Sequence, residues 1–171
     1  MLARVFKQEQ IDKWLDSVKK DDIGMADALM ALSVDGDELS FWEVEESELG
    51  QAALAWNSSR DKVTDVFVAY LDTNEIEKKI DTNNEQGNTV IEDLKSKHRN
   101  LINLNFWSIG FLSEHLTSQI RNNCYVYFDE DDVNQLFFDA IDNGRLNLEL
   151  LKPKLKNRLN QVRQKNNMNR Y

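Results

Sequence analysis

Val66-Phe67-Val68-Ala69-Tyr70-Leu71 is an unbroken apolar run that stops at Asp72. Six such residues with no polar alternation predict a central strand covered on both faces. Such a strand needs neighbours. Cys124-Tyr125-Val126-Tyr127-Phe128 predicts a second strand and Leu39-Ser40-Phe41-Trp42-Glu43-Val44 a third, both short and β-favouring. Thr89-Val90-Ile91 is a weaker candidate for a further short strand.

Helical patterns fill the intervals. Phe6, Ile11, Trp14, Leu15 and Val18 have helical spacing, and Asp21 and Asp22 offer an N-cap for a second helix through Met25, Ala28, Leu29 and Leu32. Val34-Asp35-Gly36-Asp37 is a turn signal. Ser47, Leu49, Ala52, Ala53 and Trp56 predict a third helix. Asp72 and Glu75 have capping-box spacing ahead of a short helix over 76–80, and 81–88 is a polar loop. Asn105 can cap the helix with the widest apolar arc: Phe106, Trp107, Ile109, Phe111, Leu112, Leu116 and Ile120. Asp129-Glu130-Asp131-Asp132 opens another helix, with Val133, Leu136, Phe137, Ala140 and Ile141 on its apolar side and Gly144 placed to end it.

Strands alternating with helices predict an α/β fold: a small mixed or parallel sheet of three to five strands flanked by helices, with a C-terminal basic amphipathic helix. No 20–50-residue period repeats, so the expected organisation is a single acidic α/β domain over 1–150 and a tail helix with a frayed end over 151–171. With 41% hydrophobic residues, the 171-residue chain can bury a sizeable core. The lone cysteine, Cys124, excludes an internal disulfide framework. No apolar run approaches the roughly 18 residues needed to cross a bilayer, and the first residues lack a secretory h-region; these features predict a cytoplasmic protein.

Charge is strongly polarised along the chain. Residues 1–151 carry 14 Lys+Arg against 30 Asp+Glu, a net of −16, while 152–171 carry seven bases and no acid, which together make −9. An acidic body disfavours nucleic-acid binding, because phosphate contacts rely on Lys and Arg. In the tail, Leu151, Leu155, Leu159 and Val162 are spaced 4, 4 and 3 and form one narrow stripe. Lys152, Lys156 and Arg163 flank it on one side, and Lys154, Arg158 and Lys165 on the other. Pro153 suits the first helical turn. Such a ridge calls for an apolar groove with acidic rims, and its burial is worth on the order of 6–10 kcal/mol before entropy costs. The groove can belong to the chain's own body, to a protein partner or to a second copy. The neutral back of the helix and the absence of Trp and Phe from the stripe disfavour a membrane.

Two kinds of chemistry compete. If the strands ending at Asp72 and Asp129 were parallel neighbours, those acids, with Asp132, would meet at one sheet edge and could hold a divalent metal for phosphoryl transfer or nuclease chemistry. Yet acids at helix N-termini already have a role as caps, and no phosphate-binding glycine loop is present. His98 lies in a basic, solvated stretch, His115 in an apolar helix, and neither has zinc-ligand spacing. No cofactor is called for. The reading that follows is a protein-binding regulator or immunity-like inhibitor of a basic partner. Its expected contacts are Asp129, Asp131 and Asp132 on the body and Leu151, Leu155, Arg158, Leu159 and Val162 on the tail. The alternatives are the metal-dependent enzyme and a structural subunit, a homo-oligomer assembled through the tail.

Overall fold

The computed structural model describes residues 1–8, 12 and 37–168. Six strands form one sheet: β1 (Leu2–Lys7), β2 (Leu39–Glu43), β3 (Val66–Leu71), β4 (Asp81–Asn83), β5 (His98–Ile102) and β6 (Tyr125–Phe128), in the order β4-β5-β2-β1-β3-β6. Six α-helices lie among the described residues: α1 (Leu49–Ser58), α2 (Thr73–Glu77), α3 (Glu92–Lys95), α4 (Phe106–Arg121), α5 (Glu130–Asp142) and α6 (Pro153–Met168).

Every strand pair is antiparallel. The mixed or parallel sheet of three to five strands is therefore corrected to six antiparallel ones. The reason lies at the N-terminus, where a helix through Phe6 was expected. Leu2–Lys7 instead alternates, Leu2 and Phe6 entering one core and Ala3 and Val5 the other, and pairs with β3 from Leu2↔Leu71 to Lys7↔Val66. This strand inserts between β2 and β3 and opposes both. β2 and β3 thus run the same way, joined by a crossover through α1, but are not neighbours. β5 and β6 are likewise codirectional across α4. The remaining positions of the two expected N-terminal helices, Ile11, Trp14, Leu15, Val18 and those from Asp21 to Leu32, lie outside the described residues.

β3 is central in the sense its sequence implies: Val66 and Val68 enter the core shared with α1, α5 and α6, and Phe67, Ala69 and Leu71 the core shared with α2 and α4. On the second face Arg4 points among the rings of Phe6 and Phe41, at 5.8 and 5.9 Å, and donates to the Ser40 carbonyl at 2.6 Å. Burial there pulls its pKa down to about 10.

Local expectations differ at several points. Residues 81–83, expected in a loop, form the short edge strand β4, while Thr89-Val90-Ile91 is not a strand but a segment that buries Ile91. The stretch from His98 forms β5, paired on both sides. Asp72 caps α2 through the Asn74 N–H, but Glu75 does not complete a box: its carboxylate meets His115 Nε2 at 2.6 Å. Asn105 and Ser108 make a reciprocal capping box on α4, and Gly144 follows α5 at φ +70°, a conformation glycine adopts without strain.

The tail helix packs on its own body. Leu151, Leu155 and Leu159 are 4%, 0% and 1% exposed and belong to the same buried cluster as Phe137, Ala52 and Val68, with Val162 partly buried against it. Its flanking bases reach body acids on both sides: Lys152 to Asp61 at 3.5 Å, Arg158 to Glu130 at 3.8 Å, and Arg163 to Asp142, while Lys156 pairs with Glu149 just ahead of the helix. These exposed pairs are worth at most about 1 kcal/mol each, so the leucines carry the docking and the charges orient it. Truncating either Leu155 or Leu159 to Ala is expected to destabilise the chain by about 2–5 kcal/mol in urea unfolding. Leu150→Ala, at a neighbouring but 58% exposed position, is expected to change stability by no more than about 0.5 kcal/mol. Equal effects at the three positions would contradict the docked tail.

Candidate interaction surface

The antiparallel sheet separates the two strand-end acids. β3 and β6 pair with Val66 opposite Phe128, so Asp129 lies at the end where β3 begins and Asp72 at the end where it finishes. Six residues of strand, about 20 Å, lie between these levels. The expected metal constellation of Asp72, Asp129 and Asp132 is therefore not assembled, and no group of three or more His, Cys, Asp or Glu suited to a metal occurs among the described residues. Each acid has a structural role where it stands. Asp129 accepts from the Asp132 N–H at 2.8 Å, and the Asp132 carboxylate accepts from the Asp129 N–H at 3.2 Å, a capping box that starts α5.

The first turn of α5 divides two depressions. On one side lies a cleft of ≈ 550 Å³ lined by residues that include Trp56, Arg60, Lys62, Asp65 and Glu130. The Arg60 guanidinium stacks 4.0 Å from the centroid of Trp56. On the other side lies a groove of ≈ 390 Å³ lined by Val126, Tyr127, Phe128, Asp132, Gln135 and Leu136. Strand β6 forms one wall of this groove and α5 the other. Tyr127 lines this groove, and its hydroxyl donates at 3.0 Å to the carboxylate of Asp65, a residue of the cleft; withdrawal from water together with that carboxylate raises its pKa.

β6 is also the last strand of the sheet, and no described residue pairs with its outer edge. The two sheet edges differ in kind. β4 is three polar residues, Asp81, Thr82 and Asn83, with side-chain hydrogen bonds from Asn103 to Asp81 and from Asn83 to Glu85. β6 reads Tyr-Val-Tyr-Phe, without charge or proline, and leaves Val126 and Tyr127 each 39% exposed. Sheet edges are ordinarily blunted by charge, proline or a covering element. Here the charge lies just beyond the strand, on Asp129, Glu130, Asp131 and Asp132. Glu130 faces Arg158 of the tail, while Asp131 makes no ion pair or hydrogen bond among the described residues.

Of the residues singled out in the sequence, Asp129, Asp131 and Asp132 stand together beside this groove. Leu151, Leu155 and Leu159 do not reach the surface, and Arg158 is engaged with Glu130. Val126, Gln135 and Leu136 were not among the expected contacts, because which strand ends a sheet is not written in its own residues. Phe106 and Trp107, expected in the apolar arc of α4, are 89% and 82% exposed; only Leu112, Leu116 and Ile120 of that arc are fully buried. Comparison with protein-family models, curated proteins and solved structures gave no significant match.

His98, expected in solvent, is half-buried in β5, edge-on to Trp42 with ring centroids 5.0 Å apart, and its Nδ1 lies 3.2 Å from the Glu85 carbonyl. Burial, outweighing that carbonyl, depresses its pKa below the ordinary 6.5. The unfolded chain then takes up a proton that the folded chain refuses, so His98 lowers stability as pH falls through 6.5 towards its folded-state value, with no further loss below that. An NMR titration is expected to give His98 a midpoint below 6.5, and His98→Gln is expected to flatten the stability profile in that window. A midpoint above 6.5 would reverse the sign and contradict the buried environment.

Proposed function

We propose that this chain is a protein-binding regulator or inhibitor that engages a basic protein through the acidic turn Asp129–Asp132 and the groove beside it. One observation carries the reading. The tail is docked on its own body and its cations meet acids there, so the surplus of negative charge is left to the body, and an unblunted apolar groove lies at the foot of its densest acidic turn. An apolar floor with a charged rim is the ordinary composition of an interface that selects its partner by sign and holds it by burial. The carboxylates speed encounter with a cationic surface, and Asp131, which pairs with no described residue, can meet it directly.

The two other readings draw less support. Metal-dependent phosphoryl transfer needs acids that this topology keeps apart. Assembly through α6 needs the Leu151, Leu155 and Leu159 ridge to leave a core in which it is already buried. The absence of any described helix long and apolar enough to cross a membrane is compatible with a partner in solution.

The test is capture of partners by the full chain, followed by quantitative binding of the captured protein. A combined Asp129→Asn, Glu130→Gln, Asp131→Asn and Asp132→Asn variant removes four charges, while Asn retains capping ability at Asp129. Affinity for the captured protein is expected to fall at least about tenfold in this variant, and to fall again in 1 M salt, where screening shortens to about 3 Å. A captured protein whose binding ignores both the variant and the salt would overturn the reading.

A further inference from the structure

We infer that the outer edge of β6 receives an extended segment of the basic partner as a seventh strand. This rests on the reading of Asp129–Asp132 as the partner-binding acids and specifies how the partner is held. Three features converge on the same strip of surface. The backbone of Tyr125–Phe128 pairs with β3 on one side only, which leaves the donors and acceptors of its other side without a strand among the described residues. Side chains along the strand alternate: Tyr125 and Tyr127 meet the ring of Phe67 on one face, while Phe128 packs into the opposite core and Val126 joins it in lining the groove. The groove continues that second face outward, between Val126 and Phe128 of the strand and Leu136 and Gln135 of α5.

An added strand would thus find backbone partners along β6 and an apolar slot for alternate side chains, which is how strand addition combines affinity with specificity. The acids fix the kind of segment. Asp129 follows β6 directly, Asp132 lines the groove and Asp131 pairs with no described residue, so the end of the incoming segment beside Phe128 meets carboxylates and is favoured when it carries Lys or Arg. The same charge argues against a second copy as the occupant. Each chain carries −9, so edge-to-edge pairing of two β6 strands would bring two acidic bodies together.

The experiment selects binders to the full chain from a displayed library of random eight-residue peptides and resynthesises the best with single backbone N-methyl groups at successive positions. Residues of a paired edge strand direct N–H and C=O to the same side, and successive residues alternate. The expected result is basic peptides with apolar or β-branched residues at alternate positions. N-methylation at positions of one parity is expected to weaken them at least about tenfold, and at the other parity to leave them nearly unchanged. Val126→Lys, which puts a cation into the groove, is expected to lose them as well. The N-methyl series leaves the protein untouched and decides the matter even if that variant folds poorly.

If both parities tolerate methylation while the four-acid variant still loses the peptides, strand addition is wrong and the acidic-surface reading stands. Peptides indifferent to the four-acid variant but sensitive to parity would keep the strand and remove the acids from its recognition, which overturns the inference as stated. Failure to select any peptide overturns it too. So does sedimentation showing a dimer of the free chain that Val126→Lys dissolves, since the occupant would then be a second copy.

Discussion

The insertion of Leu2–Lys7 between β2 and β3 is the constraint on which the rest of the structure depends. This strand pairs with β3 along its whole length and with β2 at Leu2 and Ala3, and it contributes Leu2 and Phe6 to one core and Ala3 and Val5 to the other. Remove it and β2–α1–β3 would be an ordinary parallel crossover unit. With it in place, the codirectional β2 and β3 are held apart and each pairs antiparallel with β1 instead, as the outer strands do with their own neighbours. Sheet direction then decides which strand ends share an edge, and so which acidic groups can cooperate.

From that arrangement follow both the loss of one site and the appearance of another. Asp72 and Asp129 end neighbouring strands that run in opposite directions, so two carboxylates that resemble a metal pair in the sequence serve as caps at opposite ends of the sheet. The sixth strand, arriving by a crossover through α4, takes the outside position next to β3, and α5 folds back across it. Its exposed edge, the groove and the acidic turn are three consequences of one connection. Burial of the tail acts in the same direction. By seating Leu151, Leu155 and Leu159 in the α1–α5 core, it removes the most obvious docking ridge of the sequence from the surface.

Legibility followed the range of the physics. The Val66–Leu71 strand, the Asn105 cap, the acidic start of α5, Gly144 and the Leu stripe of the tail were all readable, because each depends on residues within a turn or two of one another. The errors lay where long-range pairing overrides local pattern. Phe6 fits a helical stripe as well as a strand until it is known to face Phe67 across the ladder. His98 and Arg99 look solvated until β2 takes up their backbone opposite Trp42 and Phe41. Glu75 has capping-box spacing but is claimed by His115, 40 residues away. Trp107 has the periodicity of a core residue, yet it belongs to a first turn ahead of the part of α4 that meets the sheet.

The amino-acid sequence by itself determined the element-forming segments, the polarity of charge between body and tail, and the existence of a buried leucine ridge, since these follow from side-chain chemistry and short-range periodicity. Only the tertiary structure decided strand order and direction, the host of that ridge, and the identity of the open edge. Those properties depend on which distant segments pair, and a strand's own residues do not encode whether a neighbour lies on one side of it or on both.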